Sequence, residues 1–93
     1  MKTITIQIGN SDDMLTQMDW ARFYADTNHE ITQADARVHF AAPSPAQCPW
    51  QNACWVIEIA AEKAEALKAS LVQVRRKFSQ QSIAWTEGQT TFA

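Results

Sequence analysis

Glycine is scarce in this chain of 93 residues, which contains only Gly9 and Gly88. Phosphate-cradling loops and dinucleotide-binding turns need several closely spaced glycines, because the backbone must approach the ligand without a Cβ atom in between. The chain has no such cluster, and it has no nucleophile-elbow pattern either. The motifs of nucleotide binding and of serine hydrolases are therefore excluded.

Residues that bind metals or form disulfides are also few. Cys48 and Cys54 are separated by five residues rather than by the two of a zinc-binding C-x-x-C motif. His29 and His39, the two histidines, fall on different predicted elements. We therefore expect two free thiols, no metal site, no cofactor and no catalytic residues, since cytosolic disulfides are rare.

Neither a membrane span nor a basic surplus is present. No apolar run approaches the roughly 18 residues that a spanning helix needs, and no charged-then-apolar leader precedes the first strand. The net charge is −2, whereas duplex-binding domains usually carry excess positive charge. A hydrophobic fraction of 46% with four tryptophans favours a folded globule. We expect one soluble, cytoplasmic domain over residues 1–93, without direct binding to nucleic acid or membrane.

The hydrophobic pattern predicts six elements. Strict alternation at Ile4, Ile6 and Ile8 indicates a half-buried strand, and Thr16 three residues before Asp19 is typical of a helix start. The segment "ARVHFAA" alternates again and predicts a strand with Val38 and Phe40 on one face. A third strand, a helix over about 62–78 and a last strand around Trp85 follow.

This order, β-α-β-β-α-β, predicts an α+β fold. Each strand has one apolar face and each helix one apolar stripe, so the helices can cover one face of the sheet. The arrangement is ferredoxin-like, with two helices on one face of a four-stranded antiparallel sheet. Right-handed crossovers give the strand order 4-1-3-2.

Three polar loops meet at one end of that sheet, and we call them together the loop edge. They read "GNSDDM" (9–14), "PSPAQCPWQN" (43–52) and "SQQS" (79–82). Binding residues favour loops on a rigid scaffold. The alternative is that these side chains only form turns and cap helices. The candidate partner-binding residues are Asn10, Ser11, Asp12, Asp13, Trp50, Gln51, Asn52, Gln80 and Gln81.

Trp50 stands apart from the other tryptophans because it lies in a proline-rich loop and not on a periodic face. Tryptophan is enriched among the residues that dominate interface energies. Trp50 is therefore either an anchor for a partner or a lid over the end of the core. Trp20, Trp55 and Trp85 fall on predicted inner faces and are expected in the core.

The segments "TIQIGNSDDMLTQMDW", "PWQNACWV" and "QQSIAWTEGQTTF" resemble a group of small proteins of unassigned function in bacterial and bacteriophage genomes. The resemblance implies an origin in a phage or mobile element. Small proteins of such origin often bind host machinery, including as inhibitors of defence systems of the anti-CRISPR kind. The resemblance carries no catalytic residues.

These observations predict a non-enzymatic protein-binding module, monomeric or homodimeric, that inhibits or modulates host defence machinery. The alternative is a sensor domain of ACT-like architecture that binds a small polar ligand at the first strand-to-helix loop. That alternative rests on the likeness of fold alone.

Overall fold

The computed structural model describes residues 1–10 and 14–93. Its elements are β1 (Lys2–Gly9), α1 (Gln17–Gln33), β2 (Arg37–Pro43), β3 (Asn52–Ile59), α2 (Ala61–Lys77) and β4 (Ala84–Gly88). The strands form one sheet in the order β2-β3-β1-β4, and all neighbours are antiparallel. The predicted fold class and strand order are confirmed.

The core lies between the sheet and the two helices. Ile4, Ile6 and Ile8 of β1 and the alternate residues of β3 face the helices, which contribute one stripe each. Trp55 is fully buried, and its indole Nε1 donates to Asn28 Oδ1 of α1 at 3.0 Å. Trp20 is buried as predicted, whereas Trp85 is only partly buried against the rim of the core.

Local signals set the helix ends. The Thr16 hydroxyl accepts the backbone N–H of Asp19 at 3.1 Å and caps α1. Helix α2 ends in a Schellman motif, in which the N–H of Ser79 donates to Arg76 O and that of Gln80 to Arg75 O. Ser79 there adopts φ 58°, a left-handed conformation that favours glycine.

The prediction that Val38 and Phe40 share one face of β2 is wrong. Val38 lies opposite Ile57 and Phe40 lies opposite Val56, because the register shifts between them at a β-bulge. Ile57 points into the core, whereas Val56 belongs to the other face of the sheet. The extra residue of the bulge reverses the alternation and turns Phe40 away from the helices.

Within the described residues, no helix combines the length and the apolar character needed to cross a membrane.

Candidate functional site

The first two loops of the loop edge are joined by Asn10 and Gln51. The backbone N–H of Asn10 donates to Gln51 O at 2.8 Å, and its side-chain Nδ2 donates to Gln51 Oε1 at 3.0 Å. Asn10 also donates to Leu15 O and accepts from Leu15 N through Oδ1. One amide therefore holds the start of the chain segment before α1 and the end of the β2–β3 loop together.

Asn10 was predicted to contact a partner, and the structure places it differently. Its side chain is 2% exposed, and both its carbonyl oxygen and its amino group are engaged by Leu15 and Gln51. A buried amide with internal partners on both ends stabilises the loops rather than binding an external group. Asn10 is thus a structural residue that positions the candidate site.

The β2–β3 loop is closed at its base by Ser44 and Asn52. Ser44 N donates to Asn52 O at 2.7 Å, and Asn52 N donates to Ser44 Oγ at 3.0 Å. Trp50 lies inside the loop and is 56% exposed. This exposure does not fit a lid fully packed over the end of the core, and the predicted role of Trp50 as an anchor stays a prediction.

Gln51 is half-buried and is also bonded to α1. Its Nε2 donates to Gln17 Oε1 at 2.8 Å, and Gln17 Nε2 donates back to Gln51 Oε1 at 3.1 Å. Gln17 follows the capping residue Thr16 and was not among the predicted residues. Its position in the first turn of α1 was the only signal available, and that signal does not reveal a contact 34 positions away.

Asn52 lies where β3 passes β1, opposite Gly9. A Cβ atom on residue 9 would be 2.7 Å from Asn52 Oδ1, so the amide lies against the backbone of β1 at a place that only glycine leaves open. The hollow next to it has a volume of about 380 Å³. Its polar lining comes from Gln7, Asn52, Gln80, Gln81 and Ser82.

The third loop contributes Gln80 and Gln81. Gln80 is half-buried, with its Nε2 donating to Phe78 O and its carbonyl accepting from Arg75. Gln81 is exposed and lines the same hollow as Asn52. The structure therefore brings Asn52, Gln80 and Gln81 together, as the topology predicted, and keeps Trp50 and Gln51 on the neighbouring loop.

Ser11, Asp12 and Asp13 lie outside the described residues, so their predicted part in the site stays a prediction. The remaining polar side chains of the loop edge are neutral amides, the hydroxyls of Ser44, Ser79 and Ser82, the thiol of Cys48 and the indole of Trp50. Amides and hydroxyls can donate and accept hydrogen bonds, but they do not transfer protons at neutral pH. Such a surface is suited to recognition.

Perturbed pKa values occur away from the loop edge. Hydrogen bonding and attraction to Lys63 lower the pKa of the Asp35 carboxyl, and the same pair raises the pKa of Lys63. The pKa of Glu87 is lowered by the Trp85 indole N–H and by Lys2. Both sites are exposed ion pairs that tie neighbouring elements together. Over residues 1–10 and 14–93, no group of three His, Cys, Asp or Glu side chains could hold a metal ion.

A second concave surface was not anticipated from the sequence. It has a volume of about 830 Å³ and lies between the start of α1 and the end of α2. Leu15 and Phe78 form its floor, and Arg22 and Lys77 stand on its rim. Each of these cations already has a carboxylate partner, Asp19 at 4.0 Å and Asp26 at 2.8 Å respectively. The cleft is therefore not a free anion site.

No family model matches the chain, and no curated protein matches it. Solved structures do share its fold. It is similar to the C-terminal domain of the MgtC protein from Mycobacterium tuberculosis, with TM-score 0.60, 11% identity, and coverage of 95% of this chain and 88% of that one. The de novo designed protein Foldit4 gives TM-score 0.63 and 12% identity, with coverage of 97% and 96%.

A formyltetrahydrofolate deformylase from Pseudomonas putida KT2440 gives TM-score 0.56 and 10% identity over 96% of this chain. The match spans 28% of the deformylase chain, so the likeness is to one part of that enzyme. At identities of 10–12%, the three likenesses establish a shared α+β fold and carry no activity with them.

Proposed function

We propose that this chain is a non-enzymatic protein-binding module that presents the loop edge to a protein partner, with Trp50 as the anchor. The observation that carries the proposal is an exposed indole on a loop whose base is held rigid. Trp50 is 56% exposed, while Ser44, Gln51 and Asn52 around it are fixed by hydrogen bonds. A preordered loop loses little conformational freedom on binding.

The character of the surface also favours a protein partner. Buried tryptophans with a rim of hydrogen-bonding groups are typical of the centres of protein interfaces. Asn52 and Gln81 would supply that rim, and the carboxylates of Asp12 and Asp13 would meet basic residues of the partner and speed association. The mechanism we propose is steric or competitive blocking of the partner.

The biological setting of this proposal rests on the resemblance of three segments to small proteins of bacteria and their phages. On that basis we propose a phage or mobile-element protein that inhibits or modulates host defence machinery, in the manner of an anti-CRISPR protein. The structure supports this proposal only by supplying a surface suited to binding.

The test compares wild type, Trp50→Ala and Phe92→Ala in capture from a host extract, followed by affinity measurement with the recombinant partner. Phe92 is the matched control because it is an aromatic side chain that is 91% exposed and follows β4, whose last residue Gly88 pairs with Thr3 at the end of β1 opposite the loop edge. We expect Trp50→Ala to weaken binding by about 30-fold, as a residue worth about 2 kcal/mol would. Equal affinities for the three proteins, with unchanged folding by circular dichroism, would contradict the proposal.

A second candidate function is favoured by the hollow beside Asn52. Its amide lining suits a small neutral polar molecule, as an ACT-like sensor would bind. A ligand that binds only the folded state raises the melting temperature. We would therefore screen polar metabolites by thermal shift and repeat any hit on Asn52→Ala. A hit lost in that variant supports the sensor, whereas a screen without hits argues against it.

A further inference from the structure

The β-bulge in β2 decides what the outer face of the sheet presents, where "outer face" means the face opposite the helices. Val38 still points inward, opposite the buried Ile57. Phe40 points outward instead, opposite Val56, and is 54% exposed. Regular alternation would have placed Phe40 on the inner face, so the bulge moves one aromatic ring out of reach of the core.

Phe40 does not stand alone on that face. Ala42 follows it on β2 opposite Cys54, and β1 adds Thr5 opposite Val56. Phe40, Ala42, Cys54 and Val56 form an apolar cluster on this face. Phe40, Ala42 and Cys54 line a shallow hollow of about 440 Å³, whose polar lining comes from Gln7, Ser44 and Asn52. Contiguous exposed apolar surface on a small domain marks an interaction site.

We propose that the outer face of the sheet binds a second copy of this chain, face to face about a two-fold axis, with Phe40 and Val56 at the centre. This dimerisation surface adjoins the loop edge at Pro43, Ser44 and Asn52, and it goes beyond the proposed function. The homodimer formed through this surface presents two copies of the loop edge.

Charge supports a second copy as the occupant. The strand residues of the outer face include one permanent cation, Arg37, and one anion, Glu58, which are opposite each other in the β2–β3 register. Glu58 Oε1 is bonded to His39 Nε2 at 2.9 Å, and no described carboxylate lies within 4.0 Å of the Arg37 guanidinium. A two-fold partner would bring its own Glu58 to Arg37. A face with one charge of each sign is complementary to itself, as an isologous interface requires.

The first experiment measures mass in solution by light scattering at chain concentrations from about 1 µM to about 1 mM, which covers weak and tight dimers. We expect wild type to reach twice the chain mass of 10.5 kDa within that range. Phe40→Glu should raise the dimer dissociation constant at least 10-fold, because it places a carboxylate at an apolar centre. The control Met18→Glu, an exposed methionine on the helical layer, should dimerise as wild type does.

The second experiment exchanges the charges. In the Arg37→Glu variant the new glutamate faces Glu58 of the second copy, and in the Glu58→Arg variant the new arginine faces Arg37 of the second copy. Like charges then repel across the two-fold axis, so each variant alone should dimerise weakly. Mixed together, they should form a heterodimer with wild-type affinity, because each contact again joins opposite charges. Failure of the mixture to recover, while each variant stays folded, would overturn the proposed two-fold arrangement.

A third measurement uses the chain's own thiols. Cys54 is half-buried on the outer face, and Cys48 is exposed in the β2–β3 loop. Alkylation of Cys54 should slow as the chain concentration rises, and that of Cys48 should not.

A wild-type mass of one chain at every concentration would overturn the proposal. Capture of a different protein would also overturn the proposal if that capture were lost in Phe40→Glu and kept in Trp50→Ala. Retention of the dimer in Trp50→Ala keeps this test separate from that of the loop edge.

Discussion

Asn10 and Gln51 are 41 positions apart in the chain, and two hydrogen bonds join them at the corner where β1 ends and β3 begins. The backbone bond fixes the separation of the two loops, and the side-chain bond fixes their orientation. Because Asn10 also satisfies both backbone groups of Leu15, a single residue controls the approach to α1 and the base of the loop that carries Trp50.

Replacement of Asn10 should therefore destabilise the whole domain. Asn10→Ala leaves the N–H and C=O of the buried Leu15 without their partner, which costs about 1–3 kcal/mol for a buried polar group. Gln17→Ala is the control, because Gln17 is exposed and its bonds to Gln51 are replaced by water. Urea denaturation should show a large loss for the first variant and under about 1 kcal/mol for the second.

The contact between Gly9 and Asn52 makes a prediction about coupling. Gly9→Ala places a Cβ 2.7 Å from Asn52 Oδ1, so the amide must swing away or the strands must separate. In an Asn52→Ala background that obstacle is absent, and the same change should cost nothing or stabilise β1 by reducing backbone freedom. A double-mutant cycle measured by chemical denaturation should give a coupling of about 1 kcal/mol. Strict additivity would show that Asn52 does not hold its position against β1.

Replacement of Ser79 by glycine should increase the stability of the protein. Ser79 occupies the left-handed position of the Schellman motif with φ 58°, where a residue with a Cβ is disfavoured. Ser79→Gly is expected to raise the free energy of unfolding by about 0.5–1 kcal/mol. Ser79→Ala should give no gain, because alanine has the same Cβ. Thermal unfolding of the pair separates the backbone effect from loss of the hydroxyl.

The ion pair between Asp35 and Lys63 joins the end of α1 to the start of α2, at 2.6 Å. The lowered pKa of Asp35 means that its contribution to stability is present above the carboxyl pKa of the unfolded chain. That contribution is lost as pH falls through the lower, folded value. The raised pKa of Lys63 matters at alkaline pH. Its contribution to stability is present below the lysine pKa of the unfolded chain and is lost as pH rises through the higher, folded value.

Lys63→Met should return the pKa of Asp35 towards its ordinary value. NMR titration of the Asp35 carboxyl carbon measures that pKa directly, with Asp26 as an internal comparison because its partner Lys77 is unchanged. An Asp35 pKa that is the same in wild type and Lys63→Met would show that the two groups are not paired in solution. Since both side chains are exposed, we expect little change in overall stability.

Most of the fold could be predicted from the chain. The period-two pattern of Ile4, Ile6 and Ile8, the cap at Thr16 and the apolar stripes of both helices each depend on neighbouring residues. Right-handed crossovers then leave one strand order, and that order is observed. The convergence of the polar loops followed from topology alone, which is why Asn52 and Gln81 were found in one hollow.

The role of each polar side chain was decided by tertiary structure. Asn10 and Asn52 are the same residue type in adjacent register positions, yet one is buried with its amide fully bonded and the other is exposed at the hollow. The face of the sheet on which Phe40 lies could likewise not be predicted from the sequence, because a bulge adds one residue to a strand without changing its composition. Hydrophobic periodicity encodes which face of an element is buried. Burial of a single loop amide, or one slipped register, depends on contacts between segments far apart in the chain, and these exist only after folding.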